Sequence, residues 1–310
     1  MNLPAEKHHK PIYKGRFAPA PSGFLHFGSL VAAVGSFLDA RSQKGKWLVR
    51  IEDVDDTQIV QNSAAQILKT LETLGFYWDE TVIYQSARSD LYRSCITQLQ
   101  LNGDVFPCAC SNEEIALHHP KKALDGGFVY PKICRNGLKE GEVAKVWRLK
   151  VSDKDLTFTD RVRGAFKQNL AKEVGDIILV RADGVFAYQL ASVIDDAAQG
   201  INAVVRGGDI LNLTIQQIYL QQCLGLLTPT YAHLPVVVTK TGEKLSKQSR
   251  ATPINAKEGS FLLAKALRFL GHDVPKEHEK LPVNEFWQWV ILNWQMEKVP
   301  KARSIYPGFS

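Results

Sequence analysis

Short apolar runs alternate with helical periods in the first quarter of the chain. Ile12 to Ala18 is a partly apolar run that predicts a strand, and from Leu30 to Arg41 apolar residues recur at the helical period. A second apolar run, Trp47 to Ile51, is followed by a helix predicted at Ala64 to Leu74. Strands that alternate with helices favour a parallel, doubly wound sheet, so the sequence predicts an α/β fold.

The bulk composition is that of an ordinary globular protein. The chain has 310 residues, 45% of them hydrophobic, and a net charge of +6 that is compatible with a polyanionic partner. No run approaches the roughly 18 apolar residues of a membrane span, and Met1 to Lys10 carries no signal-peptide core. Five cysteines, an odd number, argue against a disulfide framework. We therefore expect a cytoplasmic protein with no membrane association.

The loop between the first strand and the first helix has the features of an anion site. Pro19, Pro21 and Gly23 break any regular element before the helix. A loop of this kind brings backbone N–H groups and a helix N-terminus to one point, where His26 can donate to a phosphate. Gly28 leaves room for a nucleotide against the backbone. The alternative is a plain βα turn with a capping role. The dinucleotide fingerprint G-x-G-x-x-G is absent, which disfavours NAD.

The rest of the chain continues the α/β pattern and then becomes helical. Residues 187–196 fit a helix or a strand, and Leu234 to Val238 predicts the final buried strand. The lysine-rich segment Lys240 to Lys247 predicts a loop, for which a solvated turn is the alternative. Further strands are predicted at Val146–Lys150, Asp176–Arg181 and Val204–Arg206, and helices at Ile215–Leu224, Ser260–Leu270 and Asn284–Met296.

Three cysteines have the spacing of a metal knuckle. Cys108, Cys110 and Cys134 could hold zinc with a fourth ligand from elsewhere, or they could be small buried hydrophobes. On chemistry alone His118 or His119 could complete the set, although solvated loop histidines are an equal alternative. The two remaining cysteines, Cys95 and Cys223, are interpreted as buried hydrophobes.

Two segments resemble the ATP signatures of class I aminoacyl-tRNA synthetases. His26-Phe27-Gly28-Ser29 resembles H-I-G-H, with Phe27 for Ile and Ser29 for the second His. Lys244-Leu245-Ser246-Lys247-Gln248 resembles K-M-S-K-S, with Leu245 for Met and Gln248 for the last Ser. Both segments occur in the order and at the separation of that family.

Several further segments are similar to the glutamate class of these enzymes. Arg16 to Gly23 resembles the opening R-x-A-P-S-P-T-G, and Arg50 to Asp55 resembles R-I-E-D-T-D. Gln58 departs from the family, which usually has Arg there. The resemblance covers roughly residues 11 to 250 and includes further matches at Leu74–Glu80, Tyr84–Ser86, Asp183–Gly184, Tyr188, Asp195–Asp196 and Val205–Gly207.

Length separates two subtypes of the glutamate class. A full glutamyl-tRNA synthetase carries a long C-terminal anticodon-binding region, and the 62 residues after Gln248 are too few for it. The chain is similar throughout to the truncated glutamyl-Q tRNA(Asp) synthetase family. That family has a zinc site of the form C-x-C then Y-x-x-x-C, which Cys108, Cys110, Tyr130 and Cys134 match. Tyr130 is a ligand by resemblance only.

The resemblance implies a two-step reaction with ATP, Mg²⁺, L-glutamate and queuosine-containing tRNA(Asp) as partners, and one structural zinc ion. It implies catalytic roles for His26, Gly28, Lys244 and Lys247, and ATP binding by His26, Gly28, Ser29 and Lys247. Glutamate is expected to be bound by Arg16, Phe17, Ala18, Pro19, Ala20, Ser22, Glu52, Tyr188 and Arg206.

The fold implied is a Rossmann-type parallel sheet with an inserted zinc-containing subdomain and a short helical C-terminal region. We expect catalytic halves at residues 11–101 and 186–250, an insert at 102–185 and the helical region at 251–310, in a monomer. The alternatives are an enzyme that charges a tRNA 3′ end, a non-catalytic RNA-binding relative and a generic nucleotidyltransferase. The last would lack the matches at Arg16, Glu52, Tyr188 and Arg206.

Overall fold

A computed structural model describes residues 11–245 and 252–308 of the chain. The α-helices of these ranges are α1 (Phe27–Ser42), α2 (Ser63–Thr73), α3 (Ser89–Leu101), α4 (Asn112–His118), α5 (Leu170–Glu173), α6 (Tyr188–Ala198), α7 (Thr214–Cys223), α8 (Ser260–Phe269) and α9 (Val283–Asn293). The strands are β1 (Lys14–Phe17), β2 (Lys46–Ile51), β3 (Ile83–Tyr84), β4 (Val105–Cys108), β5 (Val146–Leu149), β6 (Asp155–Asp160), β7 (Gly164–Asn169), β8 (Ile177–Val180), β9 (Ala203–Gly207), β10 (Thr230–Leu234), β11 (Val236–Val237) and β12 (Ser304–Ile305).

Parallel strands form the centre of the molecule. β1, β2 and β3 pair in parallel, and so do β9, β10 and β6. The two groups adjoin at β1 and β9, where the backbone N–H of Asn202 donates to the carbonyl of Lys14 at 3.0 Å. The spatial order is therefore β3-β2-β1-β9-β10-β6. The chain moves outward in opposite directions from β1 and from β9, which creates a topological switch point, where open α/β sheets bind ligands.

The predicted α/β fold with a parallel sheet is confirmed. The helices predicted at the start, after β9 and near the C-terminus are present with ends shifted by a few residues. The segment 187–196, which fits either a helix or a strand by sequence, is helical from residue 188 and belongs to α6. The boundaries predicted after residues 101, 185 and 250 stay predictions. Within the predicted insert, β4, β5 and β8 form an antiparallel sheet, whereas β6 pairs in parallel with β10.

The prediction of one final strand from Leu234 to Val238 is wrong, because the segment is divided between the end of one strand and a second, short strand. The buried strand is β10, which ends at Leu234, and Pro235 follows it. Because proline has no backbone N–H, it cannot continue a ladder in the middle of a sheet. The chain then forms β11, which pairs in parallel with β12 near the C-terminus.

The C-terminal helices pack against the first half of the sheet. Trp287 of α9 is buried, and its ring centroid lies 4.7 Å from that of Phe37 in α1 and 4.9 Å from that of Phe76. Its indole N–H also donates to the carbonyl of Leu74 at 2.9 Å. Trp287 therefore joins α9 to α1 and to the end of α2. In the described ranges, no helix is both long enough and apolar enough to cross a membrane.

Replacing Trp287 with Ala should lower the free energy of unfolding by about 3–5 kcal/mol, because a large buried ring and its hydrogen bond are lost together. Leu292→Ala on the same helix is the control, since Leu292 is 86% exposed; we expect it to change stability by less than about 0.5 kcal/mol. Urea denaturation of both variants measures the difference. Equal effects would show that α9 is not packed as described.

Candidate active site

A cleft of about 450 Å³ lies at the carboxyl ends of β1, β9 and β10. The loop after β1 and the first turn of α1 form one side. The turn after β9, the end of β10 and the segment that contains Lys244 form the other. Its lining includes the predicted residues Phe17, Ala18, Pro19, Ala20, Ser22, His26, Gly28, Ser29 and Lys244. The cleft therefore occupies the switch point of the sheet.

His26 is the N-cap of α1. Its Nδ1 accepts from the backbone N–H of Ser29 at 3.3 Å, so the proton of a neutral ring is on Nε2, which lies 3.2 Å from the Ser29 hydroxyl. A Cβ at Gly28 would lie 3.1 Å from the His26 ring. Glycine at position 28 therefore lets the ring cap the helix while it faces the cleft. Helix N-termini attract anions, so this corner of the cleft suits a phosphate.

The lysine-rich segment that contains Lys244 approaches the His26–Ser29 motif from across the cleft. The ammonium of Lys244 lies 2.6 Å from a carboxylate oxygen of Asp209, which follows β9 and also lines the cleft. Beyond this segment the backbone N–H of Ile254 donates to the carbonyl of Leu25, next to His26. Described residues on both sides of this segment thus adjoin the start of α1. Lys247, predicted to bind ATP, lies outside the described residues.

Buried arginines and acids form an ion-pair cluster beside the cleft. Asp196 of α6 accepts from Arg16 Nε of β1 at 3.1 Å and from Arg50 Nη1 of β2 at 2.8 Å. Arg50 also donates to Glu52 at 3.2 Å. Although burial opposes ionisation, the two arginines hold the pKa of Asp196 below its usual value. For Glu52 burial prevails over Arg50 and Arg16 and raises its pKa.

A smaller cavity of about 180 Å³ adjoins this cluster. Glu52, Tyr188 and Gln58 line it, and Ala20 lines both it and the larger cleft. Gln58, the position that departs from the family pattern, therefore faces a cavity next to the predicted glutamate residues. The carboxylate of Glu52, the phenol of Tyr188 and the N-terminus of α1 therefore lie around the loop that contains Ala20.

Arg16 and Arg206 line neither cavity. Both are buried: Arg16 bonds to Asp196, and Arg206, 5% exposed, reaches the smaller cavity through Tyr188, whose hydroxyl lies 3.4 Å from Nη1. The residues that sequence reasoning missed are Arg50, Asp196 as an ion-pair partner, and Asp209. The signal for Arg50 was available, because a charge within the apolar strand β2 requires a buried partner.

Three thiols and one phenol converge at the end of β4. The sulfur atoms of Cys108, Cys110 and Cys134 lie within 4.8 Å of one another. The Tyr130 hydroxyl is 3.4 Å from Cys108 Sγ and 3.9 Å from Cys110 Sγ. In a tetrahedral site, Zn–S bonds of about 2.3 Å would separate two sulfurs by just under 4 Å, so the three thiols could hold a zinc-sized ion.

Neither histidine weighed as a fourth ligand is part of this group. Among the described residues the group contains only cysteines, so His118 and His119 are not brought to it. Burial, followed by the hydrogen bond that the Cys110 thiol shares with Cys134, raises the pKa of Cys110 to about 12. A bound cation would remove that penalty, because metals bind the thiolate form.

A family model, related sequences and a solved structure all match this chain to tRNA synthetases. Residues 13–304 match the family model for the catalytic domain of class I tRNA synthetases (E and Q). The chain is 52% identical to a glutamyl-Q tRNA(Asp) synthetase of Dechloromonas aromatica, over 94% of this chain and 97% of that protein. It is 50% identical to one of Aromatoleum aromaticum, over 94% and 91%. The crystal structure of a glutamate-tRNA synthetase from Elizabethkingia anophelis is similar with a TM-score of 0.77 and 26% identity, over 94% of this chain and 67% of that one.

The buried His233 of β10 should make stability depend on pH. Burial, only partly opposed by the hydrogen bond to Asp160, lowers the pKa of His233 to about 4. When the pH falls from 7 to 5, His233 therefore takes up a proton in the unfolded chain but not in the folded chain. This difference should reduce the free energy of unfolding by about 2 kcal/mol. Urea denaturation at both pH values measures it. A His233→Gln variant should lose less stability, and identical pH dependence in both proteins would contradict the assignment.

Proposed function

Because this chain belongs to the class I tRNA synthetases of the glutamate and glutamine group, we propose that it activates L-glutamate with ATP without tRNA and then transfers the glutamyl group to queuosine in the anticodon of tRNA(Asp). It is a ligase of the aminoacyl-tRNA synthetase type. The two curated relatives described above carry the name glutamyl-Q tRNA(Asp) synthetase, and the chain matches nearly their whole length. That agreement favours queuosine over a tRNA 3′ end as the acceptor.

The observation that carries the proposal is the position of the buried charge cluster beside the nucleotide-sized cleft. Ala20 is shared by the cleft and the smaller cavity, so an amino acid in one and a triphosphate in the other would meet at the loop after β1. Holding two reactants in contact accounts for much of the acceleration in such reactions.

The charges of the cluster suit glutamate. Apart from Asp55 and Arg181, which line the smaller cavity and pair with each other, the charged groups beside this cavity include one more arginine than carboxylates. Glutamate at neutral pH carries one net negative charge. The cationic groups are Arg16, Arg50, Arg88 and Arg206, and the anionic groups are Glu52, Asp195 and Asp196. In the proposal, Arg206 and Tyr188 bind a substrate carboxylate, Arg16 supports them, and Glu52 accepts from the α-ammonium group. Phe17, Ala18, Pro19, Ala20 and Ser22 form the wall between amino acid and ATP.

In the proposed first step, an oxygen of the glutamate α-carboxylate forms a bond to the α-phosphorus of ATP. The bond from that phosphorus to the bridging oxygen of the β-phosphate breaks, and pyrophosphate leaves. His26 donates from Nε2 to a phosphate oxygen, while Gly28 and Ser29 form the floor at the start of α1. Lys244 contributes positive charge from the opposite side, and Lys247, which is outside the described residues, is expected to contribute a second positive charge. The nucleophile is already ionised, so catalysis requires positioning and charge stabilisation rather than a base. Mg²⁺ bound to ATP would neutralise further phosphate charge.

In the proposed second step, a hydroxyl of the cyclopentenediol of queuosine attacks the carbonyl carbon of glutamyl-adenylate. The ester bond to queuosine forms, the bond from the carbonyl carbon to the phosphate oxygen breaks, and AMP leaves with the electron pair. The hydroxyl proton passes to the phosphate or to solvent.

We further propose one structural zinc ion held by Cys108, Cys110, Cys134 and Tyr130. A bound zinc ion would cross-link the end of β4 to the loop around Cys134 and has no part in the reaction. We also propose a cytoplasmic location, where ATP and tRNA are available and thiols stay reduced. The monomeric state stays a prediction.

Glutamate transfer to two pools of tRNA tests the proposal. We expect radiolabelled glutamate to enter tRNA(Asp) from cells that make queuosine and not tRNA(Asp) from cells that lack it. Transfer only to tRNA(Glu) would contradict the choice of acceptor. His26→Ala is the control for the nucleotide site, and it should reduce adenylate formation on the order of a hundred- to thousandfold, as loss of a well-placed donor does.

Metal analysis tests the cysteine cluster. Purified protein should contain about one zinc ion per chain, Cys110→Ser should lose it, and Tyr130→Phe should weaken zinc binding about 10–100-fold in competition with a chelator. Cys95→Ser on α3 is the matched control, because Cys95 is not in the cluster and should leave zinc unchanged. A Cys110→Ser protein with a full zinc complement would rule out the proposed ligand set.

A further inference from the structure

His233 lies at the centre of a buried network behind the proposed glutamate site. It belongs to β10 and is 0% exposed. Its Nδ1 lies 2.6 Å from Oδ2 of Asp160, at the end of the neighbouring strand β6. On the other side, its Nε2 lies 3.0 Å from Nε of Arg206 on β9. Three adjacent parallel strands thus contribute an acid, an imidazole and a guanidinium in one line.

The partners of the ring allow a single tautomer. Asp160 Oδ1 accepts from the backbone N–H groups of Val162, Arg163 and His233 at 3.0, 2.9 and 3.2 Å. Bonds of this kind favour the ionised carboxylate, which can only accept. Nδ1 must therefore carry the proton. Because Nε of Arg206 can only donate, Nε2 of His233 must be unprotonated.

Arg206 differs from the other buried arginines of the cluster in the charge of its partners. Arg16 and Arg50 each bond to the carboxylate of Asp196. Arg206 donates to His233, to the Thr214 hydroxyl at 2.9 Å and to the Tyr188 hydroxyl at 3.4 Å. In the part of the chain that the structure describes, no carboxylate bonds to Arg206. Three of its five N–H groups are used, and two remain for a ligand.

A neutral imidazole at this position can orient Arg206 without neutralising its positive charge. A carboxylate in contact with Arg206 would satisfy the guanidinium internally, and an imidazolium would repel it. An imidazole acceptor orients the side chain and leaves its positive charge uncompensated. Asp160 is the nearest acid along this line, but it is separated from Arg206 by the ring.

We propose that His233 is a positioning residue for substrate binding: Asp160 holds it as the Nδ1–H tautomer, so that Nε2 orients Arg206 toward a carboxylate of the amino-acid substrate. This inference rests on the proposed function. It adds that the affinity for glutamate depends on two residues, His233 and Asp160, that do not touch the substrate.

Two substitutions at position 233 separate orientation of Arg206 from simple packing. The amide oxygen of His233→Gln can take the place of Nε2 and accept from Arg206, whereas the shorter side chain of His233→Asn reaches Asp160 but not Arg206. In ATP–pyrophosphate exchange we expect His233→Asn to raise KM for glutamate about 10–100-fold, as loss of a hydrogen bond to a charged group does. KM for ATP should change less than about threefold, and His233→Gln should restore KM for glutamate to within about fivefold of the wild type.

Asp160→Asn tests the tautomer itself. Its amide can donate to Nδ1, which would move the ring proton to Nε2 and place two donors against each other at Arg206. Nitrogen-15 NMR of histidine-labelled wild type, with the His233 signals identified by their loss in His233→Gln, should show a protonated Nδ1 and a bare Nε2. Asp160→Asn, if folded by circular dichroism, should show the reverse and an increased KM for glutamate.

His272→Asn is the matched control, because His272 is also a buried histidine but stacks on Trp294 away from the cluster. It should lower stability without changing KM for glutamate. An unchanged KM for glutamate in His233→Asn, an equal increase in the KM values for glutamate and ATP, or a protonated Nε2 in the wild type would overturn the inference. Wild-type protein without glutamate-dependent exchange would instead refute the proposed function, and the NMR result would still report on the tautomer.

Discussion

Asp196 joins two buried arginines from neighbouring strands, and much of the site depends on this junction. Arg16 and Arg50 lie on β1 and β2, and Asp196 reaches both from α6. Removing one partner of such a group leaves an uncompensated buried charge, which typically costs 3–5 kcal/mol. The acid therefore fixes where α6 lies over the sheet. Tyr188 is the first residue of that helix, so the junction also determines where the phenol faces the smaller cavity.

Phosphate binding and amino-acid binding are proposed for opposite sides of the loop after β1. On one side, His26 and the first turn of α1 form an N–H-rich surface that suits phosphate. On the other, Arg206, which bonds to no carboxylate among the described residues, suits a substrate with two carboxylates. Arg16 is paired with Asp196, whereas the described partners of Arg206 are all neutral. This distinction explains how a buried cluster can be stable and still attract an anion.

The sequence predicted the fold and most of the cleft because those features follow from local patterns. The strand, loop and helix around His26 are contiguous in the chain, and the cysteine spacing is local as well. Arg50 and Asp196 could not be paired from sequence, because 146 residues separate them and the contact exists only after α6 packs on the sheet. The same is true of His233 and Asp160, which meet through pairing of β10 with β6. Leu234 to Val238 was misassigned because its apolar run continues across Pro235, where the ladder stops.

In the proposed reaction, the charge cluster and the nucleotide cleft together activate glutamate. ATP–pyrophosphate exchange without tRNA, measured with L-glutamate and with L-glutamine, tests it most directly. Glutamine has the same shape but lacks the second carboxylate, so the uncompensated charge of Arg206 would have no partner. We expect exchange that depends on glutamate, with glutamine at least a hundredfold poorer in kcat/KM. Equal exchange with both amino acids, or none with glutamate, would contradict it.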